Sequence, residues 1–167
     1  MAGINRHRYA WQFRGLEELI EALTLAHYLA TQTLLTPSSV DALLPDGLAL
    51  TAHDYLNGIM DLFGEMMRFA TVLATRDAEL VGGSGSGSGS GGPAGERTIL
   101  EDMHVLCSHV EMLPLVADKF WGDKVKAMRA SVAKVEKLGY GIAIRGGERP
   151  SGWVPEAEIV PEREILA

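Results

Sequence analysis

Hydrophobic positions recur at helical spacing along most of the chain, and no segment shows the period of two that marks a half-buried strand. Residues 53–76, HDYLNGIMDLFGEMMRFATVLATR, carry the clearest pattern. Leu56, Ile59, Met60, Phe63, Met67, Ala70 and Leu73 fall on one stripe, and Asp54, Asn57, Asp61, Glu65 and Arg68 on another. Residues 14–35 are rich in Leu, Glu and Ala, contain no proline, and place Leu16, Leu19, Ile20, Leu23, Ala26 and Ala30 on a main apolar face. Residues 96–113 align Ile99, Leu100, Met103, Leu106, Val110 and Leu113 before Pro114 ends the run. Residues 118–140 repeat Val125, Met128, Val132, Val135 and Leu138, and Tyr140, Ile142 and Ile144 extend that helix to Arg145, where Gly146-Gly147 stops it. The pattern predicts an all-α fold of four long helices with room for a short one over 40–44.

The breaks are equally legible. Pro37 disfavours helix at Thr36, and Ser38 or Ser39 can cap the short helix beyond it. Pro45-Asp46-Gly47 is a turn signal, and Thr51 is placed to cap the 53–76 helix. Residues 82–92, GGSGSGSGSGG, are flexible coil by composition, and their regularity reads as an engineered linker in place of a loop. The chain therefore divides into N-terminal helices over 1–81, the linker over 82–92, C-terminal helices over 93–147, and a proline-bearing acidic tail over 148–167, all in one domain. Residues 1–13, with Arg6, His7, Arg8, Tyr9, Trp11 and Phe13, begin the first long helix or lead into it.

Composition narrows the function. The chain has 167 residues, enough for a real core, and 47% of them are hydrophobic. A formal net charge of −7 argues against a broad basic surface for nucleic acid, though not against a nuclease whose partner supplies the cationic groove. The lone Cys107 excludes an internal disulfide and points to a reducing compartment. No apolar run approaches the roughly 20 residues of a membrane span, and the first residues lack the apolar core of a signal peptide.

The candidate chemistry is acidic. Asp61 and Glu65 are one turn apart, as are Glu18 and Glu21, so each pair shares a helix face. If the two faces meet, four carboxylates converge. A bare pair at 4 Å costs up to about 4 kcal/mol at an effective dielectric of 20. Such a cluster either protonates or holds a divalent cation, and all-oxygen ligation suits magnesium, manganese or calcium. The competing reading makes these acids solvated faces paired with Arg68 or Arg14. The remaining candidates are weaker. Glu101 and His104 form one E-x-x-H, which a di-iron bundle would need twice. His27 reads as a satisfied buried histidine and Cys107 as a packed thiol. Met60, Met66 and Met67 read as core or interface. Lys119, Lys124, Lys126, Lys134 and Lys137 read as a solvated face that could otherwise touch an RNA backbone. No phosphate-binding glycine loop or nucleophile elbow is present.

Three segments, GLEELIEALTLAHYLATQTLLT, DYLNGIMDLFGEMMR and SVAKVEKLGYGIAIRG, resemble the translin family. Gly15, Leu16, Glu18, Glu21 and Ala22 match the G-L-x-E-x-x-E-A pattern of its TRAX (translin-associated factor X) branch, and residues 54–68 match D-Y-L-x-G-x-x-D-L-x-G-E-x-M-R. The resemblance implies the antiparallel helical bundle of that family, with the N-terminal helices that precede the first motif missing here. It implies the catalytic subunit of a hetero-oligomer with translin, a magnesium-dependent endoribonuclease acting on single-stranded RNA. That assembly removes passenger strand in RNA silencing and processes tRNA fragments. Glu18, Glu21, Asp61 and Glu65 would be the catalytic and metal-binding residues, holding one or two Mg2+ or Mn2+ ions. It implies a cytoplasmic and nuclear location with no membrane association. The alternative is a non-catalytic RNA-binding or scaffold subunit of the same kind of oligomer.

Overall fold

The structure, a computed structural model, describes residues 14–45, 48–77, 80, 97–114 and 119–145. The lead-in over 1–13, the glycine-serine linker over 82–92 and the acidic tail over 148–167 lie outside the described residues. Within them run helices α1 (Arg14–Thr31), α2 (Pro37–Leu43), α3 (Ala52–Asp77), α4 (Ile99–Glu111) and α5 (Lys119–Arg145), and no sheet forms among the described residues. The fold is all-α, with the four long helices and the short one that the hydrophobic pattern predicts.

α3 is the central element. It packs along α1 and α5 and more lightly on α4, which itself packs on α5. A helix with neighbours on several sides buries more than one stripe. Ile59, Met60, Leu62, Phe63, Met66 and Ala70 are all buried, and so are Asp54 and Asn57 from the polar stripe. The first part of that stripe is therefore interior, and Asp61 and Glu65 are half-buried beyond it, which single-helix periodicity cannot reveal. Ile99, Met103 and Val110 of α4 and Met128, Val132 and Val135 of α5 complete the core. α4 and α5 are antiparallel, with His104 meeting Glu136 at one end and Glu111 meeting Arg129 at the other.

α1 differs from its predicted face and length. Leu16, Ile20, Thr24 and Tyr28, a strict four-residue repeat, are buried, whereas Leu19, Ala26 and Ala30 are exposed. Thr24 is tolerated inside because its hydroxyl donates to the carbonyls of Ile20 and Glu21 at 2.7 and 2.9 Å. The helix stops at Thr31 and not at Leu35, because Gln32 adopts φ 53°, a left-handed conformation. Long-range bonds hold Gln32 there. Its amide donates to the Arg97 carbonyl at 2.6 Å and to Asp102 at 3.0 Å, and Arg97 donates back to the Gln32 carbonyl at 2.8 Å. Asp102 also accepts from Tyr28 Oη at 2.8 Å and pairs with Arg97 at 2.9 Å. The end of α1 is thus tied to the start of α4.

The caps match the sequence with one change. Thr36, not Ser38 or Ser39, caps α2; its hydroxyl accepts from the Ser39 amide at 3.2 Å, with Pro37 just inside the helix. Thr51 accepts from the Asp54 amide at 3.2 Å at the start of α3, as its position predicts. Thr98 and Glu101 form a reciprocal capping box on α4. Glu101 of the E-x-x-H is thereby used as a cap, and His104 is spent on Glu136 at 2.7 Å.

Candidate active site

The crossing of α1 and α3 sets the site. A Cβ placed on Gly58 would lie 2.6 Å from Ile20 Cγ2, 2.7 Å from Ile20 Cβ and 3.0 Å from the Glu17 carbonyl. Only glycine lets the two backbones come this close. The approach brings Glu21, next after Ile20 on α1, toward Asp61, one turn past Gly58 on α3.

Glu21, Asp61 and Glu65 line one cleft of roughly 330 Å³, together with Met60, Gly64, Met67 and Arg68 of α3 and Ala127 and Ser131 of α5. Partial burial, and then the negative charges of Asp61 and Glu65, push the Glu21 carboxyl above the ordinary carboxylate range; Lys124 and Arg68 pull it partly back. The two faces that the sequence paired therefore do meet through these three residues. Glu18 is exposed and does not line the cleft. Successive helix residues are turned by about 100°, so with Glu17 and Glu21 directed at α3, Glu18 falls to the side.

Sequence reasoning missed three members of this site. The Glu17 carboxylate accepts from Asn57 Nδ2 at 3.0 Å and from Lys124 Nζ at 3.2 Å. Lys124 also donates to Asp61 Oδ2 at 2.6 Å and to the Asn57 carbonyl at 3.2 Å. Its side chain is only 12% exposed, so Lys124 does not belong to the solvated lysine face predicted for α5. Asn57 is fully enclosed; its Nδ2 also meets His53 Nδ1 at 3.2 Å, and its Oδ1 is buried with no hydrogen-bond partner. The four-residue spacing of Glu17 and Glu21 was a usable signal for Glu17. Nothing local marks Lys124 among its neighbouring lysines, because its role is fixed by a helix sixty residues away in sequence.

Arg68 pairs with Glu65 at 2.5 Å and is largely exposed, as the one-turn spacing suggested. His27 is half-buried and shares a 3.0 Å bond with Thr33, so the expectation of a buried histidine gives way to a helix-end contact. Cys107 is half-buried against the core, and burial pushes its thiol up, as expected of a packed cysteine. As the side chains stand, no three His, Cys, Asp or Glu residues among those described draw together tightly enough to hold a metal ion. Three carboxylates, the donor type that hard cations take, nevertheless line the cleft, and the Glu21 carboxyl has a raised proton affinity.

Comparison with known proteins agrees with the motifs. The family model described as "Translin family" matches residues 1–146. The chain belongs to the translin family. Within it, the "Translin-associated protein X homolog" of Schizosaccharomyces pombe is 28% identical over 150 residues, covering 89% of this chain. The chain spans 58% of the length of that relative. The two matches agree with the motifs in pointing to the TRAX branch of the translin family. No helix among the described residues is long and apolar enough to cross a membrane.

Proposed function

We propose that this translin-family chain is the catalytic subunit of a metal-dependent endoribonuclease for single-stranded RNA, acting in a hetero-oligomer with a translin-type partner. The observation that carries the reading is the meeting of Glu21 with Asp61 and Glu65 in one cleft, where partial burial and then the charges of the other two raise the Glu21 carboxyl. Glu21, Asp61 and Glu65 would hold Mg2+ or Mn2+, and Glu18, on the adjacent turn of α1, is the fourth acid that the TRAX motif adds. The metal, when bound, orients a phosphate and acidifies a water for phosphodiester cleavage. Asp61 enters that set already oriented by Lys124. The Glu21 side chain has no ion pair among the described residues and a raised proton affinity, which suits it to take up a proton from water. With a net charge of −7, the chain leaves most of the attraction for RNA to its partner. Passenger-strand removal and tRNA-fragment processing, in cytoplasm and nucleus, are the roles this activity would serve.

The experiment is Glu21→Gln, assayed for magnesium-dependent cleavage of single-stranded RNA in the complex with translin. Cleavage should fall by at least the roughly 100-fold typical of a lost acid–base group, while the thermal melt is unchanged or higher. Undiminished cleavage removes Glu21 from the chemistry. A second reading, a non-catalytic RNA-binding scaffold, is favoured by one feature: Lys124 already neutralises Asp61. RNA binding without magnesium-dependent turnover in the intact complex would establish it.

A further inference from the structure

Lys124 is an unusual lysine. An ammonium group has three donors, and here all three are engaged, on Asp61 Oδ2 at 2.6 Å, Glu17 Oε2 at 3.2 Å and the Asn57 carbonyl at 3.2 Å. The side chain is 12% exposed, and its ammonium lies 5.2 Å from the centre of the Phe120 ring. A lysine with no donor to spare cannot also grip a phosphate, which separates it from the exposed Arg68 at the same cleft. Its three oxygen partners come from α1 and α3, so one cation on α5 clamps the crossing of the other two helices.

We propose that Lys124 is a positioning residue: an internal cation bonded to the cleft carboxylate Asp61 and to Glu17 beside it, which holds both in place and competes with a divalent ion for Asp61. This inference rests on the metal-site reading of the cleft. The charge balance supports it. Glu17, Glu21, Asp61 and Glu65 bring four negative charges, and Lys124 and Arg68 return two positive ones. The residual −2 matches a single divalent ion. Without Lys124 the cluster is more negative and the Asp61 carboxylate is released to a metal. Metal affinity and metal-free stability are therefore set against each other by the same ammonium.

The test uses the full chain and Mn2+ alone, read by the paramagnetic signal of free manganese and by thermal melts with and without the ion. Lys124→Met keeps the length of the stem and removes the charge. It should lower the melting temperature in chelator, bind Mn2+ tighter by on the order of tenfold or more, and show a larger Mn2+-dependent rise in melting temperature than the unsubstituted chain. Lys124→Arg, which retains the charge, should restore the metal-free melt and the weaker affinity. Should K124M not fold without metal, the double variant K124M/E17Q removes one charge of each sign and leaves Asp61 free. It should melt near the unsubstituted chain and still bind Mn2+ more tightly. Mn2+ affinity unchanged in both K124M and the double variant, with the unsubstituted chain binding normally, overturns the role of Lys124 and leaves the metal site standing. Absence of Mn2+ binding in every form, Lys124→Met included, overturns both.

Discussion

Replacing Gly58 with alanine tests the helix crossing on which the cleft is built. The added methyl would sit 2.6 and 2.7 Å from Ile20 Cγ2 and Cβ and 3.0 Å from the Glu17 carbonyl. Neither Ile20 Cβ nor a backbone oxygen is the loose end of a flexible chain, so α1 itself must retreat by about 1 Å to restore ordinary carbon contacts of roughly 3.5–4 Å. Overpacking of this kind costs about 1–3 kcal/mol, and these contacts are at the severe end. Alanine returns up to about 1 kcal/mol through its better helix propensity. The net loss is about 2 kcal/mol, or a fall in melting temperature of roughly 4–8 °C for a chain of this size. Gly64 supplies the control: it lies further along the same helix, with nothing within 4 Å of its Cβ position. Gly64→Ala should raise the melting temperature by up to a few degrees, in line with a gain of about 1 kcal/mol. Both variants are compared by calorimetric or circular-dichroism melts. Because the retreat also parts Glu21 from Asp61, Gly58→Ala should lower magnesium-dependent cleavage by as much as ~100-fold. If Gly58→Ala melts at or above the temperature of the parent chain, α1 and α3 do not approach as described and the site has lost its frame.

Other outcomes rest on the same contacts. In metal-free buffer the raised carboxyl of Glu21 makes the folded state hold its proton more tightly than the unfolded chain, whose value is near 4.5. The resulting penalty is absent below that value and grows as pH rises through the folded one. Glu21→Gln should therefore match the parent chain at pH 4 and exceed its stability at pH 7; denaturant titrations showing equal stability at both pH values would refute the raised Glu21 carboxyl. Asp102→Ala strips partners from Tyr28, Gln32 and Arg97 at once, and the exposure of Arg97 limits its share. A loss of about 1–3 kcal/mol is expected by denaturant titration, because the buried phenol is left with an unmet donor. Thr98→Ala removes one half of the capping box on α4 and should cost about 1 kcal/mol, with earlier amide exchange at the first turn of that helix.

The helices themselves were legible because each carries enough apolar residues at the right spacing to be read alone. What could not be read is how they are turned toward one another. Asp54 and Asn57 look like a wet stripe on an isolated α3 and are buried in the fold, Asn57 between Glu17 of α1 and Lys124 of α5. Gln32 has no local reason to leave the right-handed region, and only its bonds to residues near position 100 explain where α1 stops. The same limit applies to the site. Glu21, Asp61 and Glu65 share spacings that sequence can see, and the structure brings them to one cleft. Choosing Glu17 over Glu18 to face α3, and Lys124 over its sister lysines, depends on rotation and tertiary reach that no window of sequence contains.

The knot formed by Tyr28, Gln32, Arg97 and Asp102 joins positions some seventy residues apart. Its bonds are non-covalent and tie the segment before the glycine-serine run to the segment after it. A protease cut anywhere in the glycine-serine run should leave two fragments that travel together through gel filtration and part only in denaturant. Expressed as separate polypeptides, residues 1–86 and 87–167 should find each other and rebuild the acidic cleft, which makes that run a natural place to divide the gene for a split reporter.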